Sequence, residues 1–237
     1  LFFFNEYILN NAKVMNEELH REMCDFATGY RGVSTKKKRL LMEPRFTLKS
    51  TCVTIAYPLQ KMLANPNTRI LIDSENLTQA KSFLNSIKGQ CETNQKYREL
   101  AMMLHNRYPS PSGKFDDTKW TSTEIISPLR LDMALKEPTI STAGVDVVKV
   151  GQHYDLIIMD DPVSHNNTGT QEQIQKVIDH YKLALSLLDP GGELIIIGTR
   201  WHYGDLYGFI MENHKDFFDV LIRQAKKPDG TLLYPEK

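Results

Sequence analysis

Two uninterrupted aliphatic runs of four residues, Leu156–Met159 and Leu194–Ile197, constrain this 237-residue chain more than any other feature. A strand with one face in water alternates apolar and polar residues. A strand apolar at successive positions is covered on both faces. Such short runs, bounded by turn residues and separated by stretches of helical period, predict an α/β fold: a mostly parallel central sheet flanked by helices. Both runs fall far short of the about 20 apolar residues that a membrane helix needs, so no spanning segment is expected.

The remaining pattern fills in the layers. Apolar residues from Tyr7 to Ala27 recur near helical spacing and predict one helix over 6–28, ended by Gly29 and Gly32. The basic run Lys36–Arg39 leads into a short strand at 40–42, and a helix follows at 50–63, kinked or shortened by Pro58. Next come a strand at 69–73, helices at 76–88 and 94–108, and a Pro- and Gly-containing loop at 109–119. Strands are expected at 121–126, 139–142 and 154–159, a helix at 171–188, a turn at 189–192, and strands at 193–198 and 217–223. At roughly 100–200 residues per domain, the length allows one domain with an appendage.

Ligands of open parallel sheets sit at the carboxyl ends of the strands, which directs attention to the residues after 42, 160 and 198. The first segment is Glu43-Pro44-Arg45-Phe46-Thr47-Leu48-Lys49-Ser50-Thr51. Lys49-Ser50 stands where the phosphate loop G-x-x-x-x-G-K-[ST] has its lysine and hydroxyl, between a strand and a helix. Such a loop curls backbone N–H groups around phosphate oxygens, extends the lysine to the outer phosphates and places the hydroxyl on magnesium. Glu43 and Leu48 occupy the two glycine positions, so spacing alone leaves open a simple basic residue at a helix start. The second segment ends its strand in Asp160-Asp161-Pro162. Asp160 is expected to hold Mg²⁺ through its water shell, and Asp161 to orient or deprotonate an attacking water. The third begins Gly198-Thr199-Arg200-Trp201-His202. Thr199 is expected to sense the outer phosphate, and His202 reads as structural.

Together, Pro44-Arg45-x-x-x-Lys49-Ser50-Thr51, Asp155–Pro162 and Gly198-Thr199-Arg200-Trp201-His202-x-x-Asp205-Leu206-x-Gly208 resemble the large terminase subunit of tailed bacteriophages. The stretches Thr139–Gly144 and Pro228–Glu236 resemble it too. The resemblance implies a P-loop NTPase fold of the ASCE, RecA-like kind and an ATPase that drives double-stranded DNA into a procapsid. It implies ATP and Mg²⁺ as cofactors, with nucleotide-binding residues Pro44, Arg45, Phe46, Thr47, Leu48, Lys49, Ser50 and Thr51. Ser50 and Asp160 are the implied metal ligands, and Asp161, Arg45, Lys49 and Thr199 the implied catalytic group. The family usually has glycine where Phe46 and Leu48 stand. Lys149 or Arg130 is the candidate for a basic residue supplied to a neighbouring subunit. The implied partners are a homo-oligomeric ring on a capsid portal, a small terminase subunit and a carboxy-terminal nuclease domain, in the cytoplasm of the infected bacterial host. The implied organisation is a helical segment 1–35 packed on an ATPase core 36–225, with 226–237 starting a linker to the nuclease domain.

Composition narrows the classes. Basic and acidic residues balance at 29 each, which excludes a binder that coats nucleic acid by bulk charge. Three widely spaced cysteines, Cys24, Cys52 and Cys91, give no disulfide framework and no Cys-rich zinc site. Two other functions share the phosphate-site residues: a helicase-like DNA-dependent ATPase, and a degenerate P-loop protein that binds partners without hydrolysis.

Overall fold

The two aliphatic runs become neighbouring strands whose alternate residues face opposite sides of one sheet. This holds in a computed structural model that describes residues 1–111, 119–147, 151–226 and 229–233. Most of the expected loop 109–119, Lys149 and parts of the 228–236 tail lie outside the described residues. The strands are β1 (Lys38–Met42), β2 (Ile70–Ser74), β3 (Glu124–Ile125), β4 (Ile140–Gly144), β5 (Tyr154–Asp160), β6 (Leu188–Gly198) and β7 (Phe218–Ile222). Their order in the sheet is β3-β4-β2-β5-β6-β1-β7. Every pairing is parallel except β3 with β4.

Helices α1 (Glu17–Thr28), α2 (Ala56–Ala64), α3 (Leu77–Thr93) and α4 (Gln95–His105) cover one face. Helices α5 (Gln171–Leu187) and α6 (Leu206–Asn213) cover the other. Leu156, Ile158, Ile195 and Ile197 enter the first core layer, with Met23, Leu59, Leu84 and Tyr97. Ile157, Met159, Leu194 and Ile196 enter the second, with Ile174, Tyr181 and Ile210. Burying each aliphatic side chain contributes roughly 1.5–3 kcal/mol, so both layers reward the unbroken apolar runs. Phe2 and Leu9 also join the first layer, tying the amino-terminal segment to the sheet. All three cysteines are buried and free. Among the described residues, no helix is long and apolar enough to cross a membrane.

Several boundaries differ from the sequence expectation, each for a local reason. The expected helix 6–28 is two pieces: a π-helical turn, Phe4–Ile8, and α1. Between them Asn10 takes a left-handed conformation (φ 59°), and Asn16 caps α1 by accepting the Leu19 amide. Asparagine favours both roles over helix interiors. Pro58 does not break the second helix. Residues Ser50–Ile55 run with π-helical spacing, the Ala56 amide reaching back to Thr51, and Pro58 falls in the first turn of α2. A missing N–H costs least there. The expected strand 121–126 shrinks to two residues because the Thr121 hydroxyl takes the amides of Thr123 and Glu124 into a tight turn. The turn 189–192 loops out within β6: Leu188 pairs with Tyr154, and Glu193 with Leu156.

Candidate functional site

The sheet register brings three strand ends to one place. Met42 of β1 pairs with Gly198 of β6, and Ile197 of β6 with Asp160 of β5. The segments after β1, β5 and β6 therefore leave the same carboxyl edge side by side, as parallel pairing requires. The chain crosses between them by hydrogen bonds: Glu43 N–H donates to the Gly198 carbonyl at 3.1 Å, and Asp161 N–H to the Ile197 carbonyl at 2.8 Å.

Side chains then converge. The Lys49 ammonium donates to the Thr199 hydroxyl at 3.3 Å and lies 3.5 Å from the Asp161 carboxylate. Thr199 donates its hydroxyl to the Glu43 carbonyl at 3.1 Å, and its own amide donates to Asp161 at 3.1 Å. Ser50 donates to Asp160 Oδ1 at 3.1 Å. Thr54 donates to Asp160 Oδ2 at 2.5 Å, and Ser74 to the Asp160 carbonyl at 2.7 Å. A cavity of about 200 Å³ opens here, bordered by Arg45, Ser50, Glu75, Asp160, Asp161 and Thr199 among others. A wider groove of about 730 Å³ runs along α5 past Lys176, Asp179 and His180, and none of the strand-end residues borders it.

The loop after β1 holds its shape by unusual backbone angles. Phe46 and Leu48 both take left-handed conformations, φ 68° and 59°. That region costs L-residues roughly 1–2 kcal/mol each, and it is the reason such loops favour glycine. Tethers over-determine it. The Thr47 hydroxyl donates to the Pro44 carbonyl at 2.9 Å. His20 on α1 accepts the Asn16 amide on Nδ1 at 2.7 Å, which leaves Nε2–H to donate to the Thr47 carbonyl at 3.1 Å. Phe46 is 74% exposed, so its side chain adds little packing to offset the strain. Phe46→Gly is therefore expected to stabilise the fold, by up to about 1 kcal/mol after glycine's larger unfolded-state entropy is subtracted. Urea unfolding of the two proteins measures this, and a loss of stability would mean the Phe46 side chain contributes more than the strain costs.

Electrostatics follow burial. Asp160 is buried, and desolvation raises its carboxyl from 3.8 to about 7, helped by the charge of Asp161 and opposed by the Thr54 and Ser50 hydroxyls and by Lys49. Burial likewise raises Glu43 from 4.5 to about 7, against the Thr47 hydrogen bond and the Lys49 charge. Asp161 takes φ 45°, a conformation that aspartate tolerates better than most residues. The turn points its carboxylate back at Thr199 and Lys49.

The segment after β6 is built to hold Thr199. A Cβ on Gly198 would lie 1.8 Å from the Tyr207 hydroxyl, so only glycine fits there. Asp205 caps α6 through the Gly208 amide at 3.1 Å and also takes the amides of Trp201 and His202. His202 accepts the Gly204 amide at 3.0 Å, a local structural role. The Arg45 guanidinium lies 4.8 Å from the centre of the Trp201 ring, a cation–π contact joining the first segment to the third.

Magnesium suits the Ser50–Asp160 pair. The ion binds proteins through one or two side chains plus waters and phosphates, and the hydroxyl and carboxylate lie together at the cavity wall. Among the described residues no group of three or more His, Cys, Asp or Glu is placed to hold a metal.

No protein-family model and no curated protein sequence matches this chain. The site is accordingly read from its own geometry. Of the residues picked from sequence, Arg45, Lys49, Ser50, Asp160, Asp161 and Thr199 meet at one edge. Thr51 is half-buried in the π-helical stretch. Lys149 lies outside the described residues. Arg130 is 2% exposed and packs at the opposite, amino end of the sheet, in the loop that precedes β4, where its guanidinium donates to the Glu137 carbonyl at 2.7 Å. Sequence reading missed Thr54, Ser74, His20 and Glu75. Glu75 follows β2 at the cavity and accepts hydrogen bonds from Ser164 and Asn166.

Proposed function

We propose that this chain is an ATP-hydrolysing motor domain of the large-terminase kind. It would have the P-loop NTPase, ASCE and RecA-like form of the α/β fold and move double-stranded viral DNA into a procapsid. The observation that carries the ATPase reading is the convergence of a lysine, two hydroxyls and two carboxylates at one sheet edge. Lys49 and Thr199 meet across 150 positions, and Ser50 and Asp160 across 110. Strand β6 lies between β1 and β5, so Thr199 stands between the lysine-bearing and the acid-bearing segments. A residue that reports on both has to be there. The motor reading rests on the terminase resemblance of the same residues. It carries with it the ring on a portal, the small subunit, the nuclease domain and the host cytoplasm.

The cavity is smaller than the 300–1,000 Å³ of most ligand pockets. On this reading a polyphosphate chain would occupy it, leaving base and sugar at the surface. Lys49 would exchange Asp161 for phosphate oxygens, and Asp161, released from that ion pair, would orient the attacking water. Ser50 and Asp160 would hold Mg²⁺, which when bound neutralises phosphate charge. Thr199 would couple the first two groups through its hydroxyl and amide.

A division of labour between the two acids follows. Asp161→Asn is expected to bind Mg-ATP about as well as the native chain and to hydrolyse it about 10²–10⁴-fold more slowly, the usual worth of a positioned base. Asp160→Asn is expected to weaken metal-dependent binding first. Nucleotide titration beside single-turnover hydrolysis separates the two, and loss of binding alone in both variants would defeat the assignment.

The missing glycines, with Phe46 and Leu48 in their place, favour one other reading, a degenerate phosphate loop that assembles with partners without hydrolysing. Phosphate release by the purified chain at saturating ATP decides between them.

A further inference from the structure

Among the described residues, Arg130 is the most deeply buried cation whose donors the fold does not use. Its Nη1 donates to Glu137, yet Nε and Nη2, the two donors along one edge of the planar fork, are buried without a partner. Leaving such donors unmatched is costly, because a buried guanidinium has given up its water. Burial indeed lowers its proton affinity, and the neighbouring Arg69 charge lowers it further, against the charges of Asp132, Glu137 and Asp155. The carboxylates nearby are engaged elsewhere. Glu137 lies 3.8 Å from Arg69 and accepts the His153 amide, and Asp132 accepts the Ala134 amide.

A second arginine stands beside the first. Arg107, just past the end of α4, donates to the Arg130 carbonyl at 3.2 Å. Both border a cavity of about 490 Å³, with Asn106, Ser110 and Ser127 as further polar neighbours. Ser110 and Ser127 are themselves buried, at 7% and 1% exposure. Two guanidinium groups, two hydroxyls and an amide, with no carboxylate among the described residues of the wall, match a tetrahedral oxyanion. Planar forks bind phosphate oxygens in pairs.

We propose that Arg130 and Arg107 form an oxyanion site for a single phosphate group, at the sheet edge opposite the Lys49 site. The proposal does not depend on ATP hydrolysis. The phosphate has two sources of the same chemistry, free inorganic phosphate or a phosphate of a nucleic-acid backbone.

The test is a thermal-shift titration with sodium phosphate, against sodium chloride of matched ionic strength, and in parallel with a short DNA duplex. Lys49→Ala serves as the background, so that binding at the other site is silent. Phosphate is expected to raise the melting temperature saturably in that background. Adding Arg107→Met, at a more exposed position, is expected to weaken the effect by about tenfold or more, as loss of a charge-assisted contact does. Arg130→Met is expected to abolish it, and where that variant folds poorly the Arg107 comparison stands alone. Protection by the duplex but not by free phosphate, lost in Arg107→Met, supports the site and assigns it to a nucleic-acid backbone. No shift with either probe beyond the chloride control, or a shift unchanged by Arg107→Met, overturns the proposal.

Discussion

Lys49→Ala is expected to reduce ATP turnover by at least about 10²–10³-fold, the cost of removing one preorganised charge from a developing transition state. The lysine is 6% exposed, and its ammonium is set between Thr199 and Asp161. No neighbour replaces it. Arg45 is committed to the face of Trp201, and Arg39 is tied to Glu193 at 2.8 Å, with Ala27 and Ser34 as further partners. The variant should still fold, because the Asp161 carboxylate, left without its cation, is 45% exposed and still accepts the Thr199 amide. A thermal melt alongside the turnover assay therefore separates lost chemistry from lost structure. Unchanged turnover in a folded Lys49→Ala protein would remove the phosphate-loop assignment altogether.

The α/β class was legible because burial on both faces leaves its mark in composition: Leu156–Met159 and Leu194–Ile197 feed two core layers alternately. The strand order was not legible. Which strand lies beside which is decided by packing between residues distant in the chain, as where Lys38 pairs with Leu194 and Phe218 and Ile70 with Leu156, and no local pattern encodes it. Site residues were visible where a strand end announced them, as at Asp160, Asp161 and Thr199. Thr54 carried a signal that was overlooked: it follows Ser50 by four residues, so the two share a helix face and both reach Asp160. His20 carried none, since its bond to the Thr47 carbonyl spans 27 positions and depends on how α1 docks. The absence of glycine at 46 and 48 reads in sequence as a weakened loop signal. The backbone nevertheless takes the glycine-like angles there, held by side-chain tethers that sequence patterns do not show.

Glu43→Gln is expected to stabilise the protein most at pH 8 and progressively less as pH falls toward 4.5. Glu43 is 2% exposed, and one of its carboxylate oxygens is buried without a partner. Burial raises its proton affinity from an ordinary 4.5 to about 7. Between those values the folded chain holds a proton that the unfolded chain has released. Stability must then fall as pH rises through that window, since the state that binds more protons is favoured at lower pH. Each pKa unit corresponds to 1.36 kcal/mol, so the full cost above pH 7 is on the order of 3 kcal/mol at most. Glutamine has the same shape and no charge to desolvate, and it removes that cost. Asp160 is raised for the same reason, and it gives both proteins a similar slope, so the difference between the two isolates Glu43. Urea midpoints should diverge from pH 4.5 to about 7 and run parallel above it, and a pH-independent difference would mean that the Glu43 carboxyl does not titrate in the folded chain. The position of the residue gives the cost a place in the site. Its carbonyl anchors the Thr199 hydroxyl, and its carboxyl faces the charge of Lys49. An acid buried here makes the start of the loop after β1 a point where charge is poorly solvated. An outside phosphate oxygen that draws Lys49 away from Asp161 and Glu43 acts on that same point.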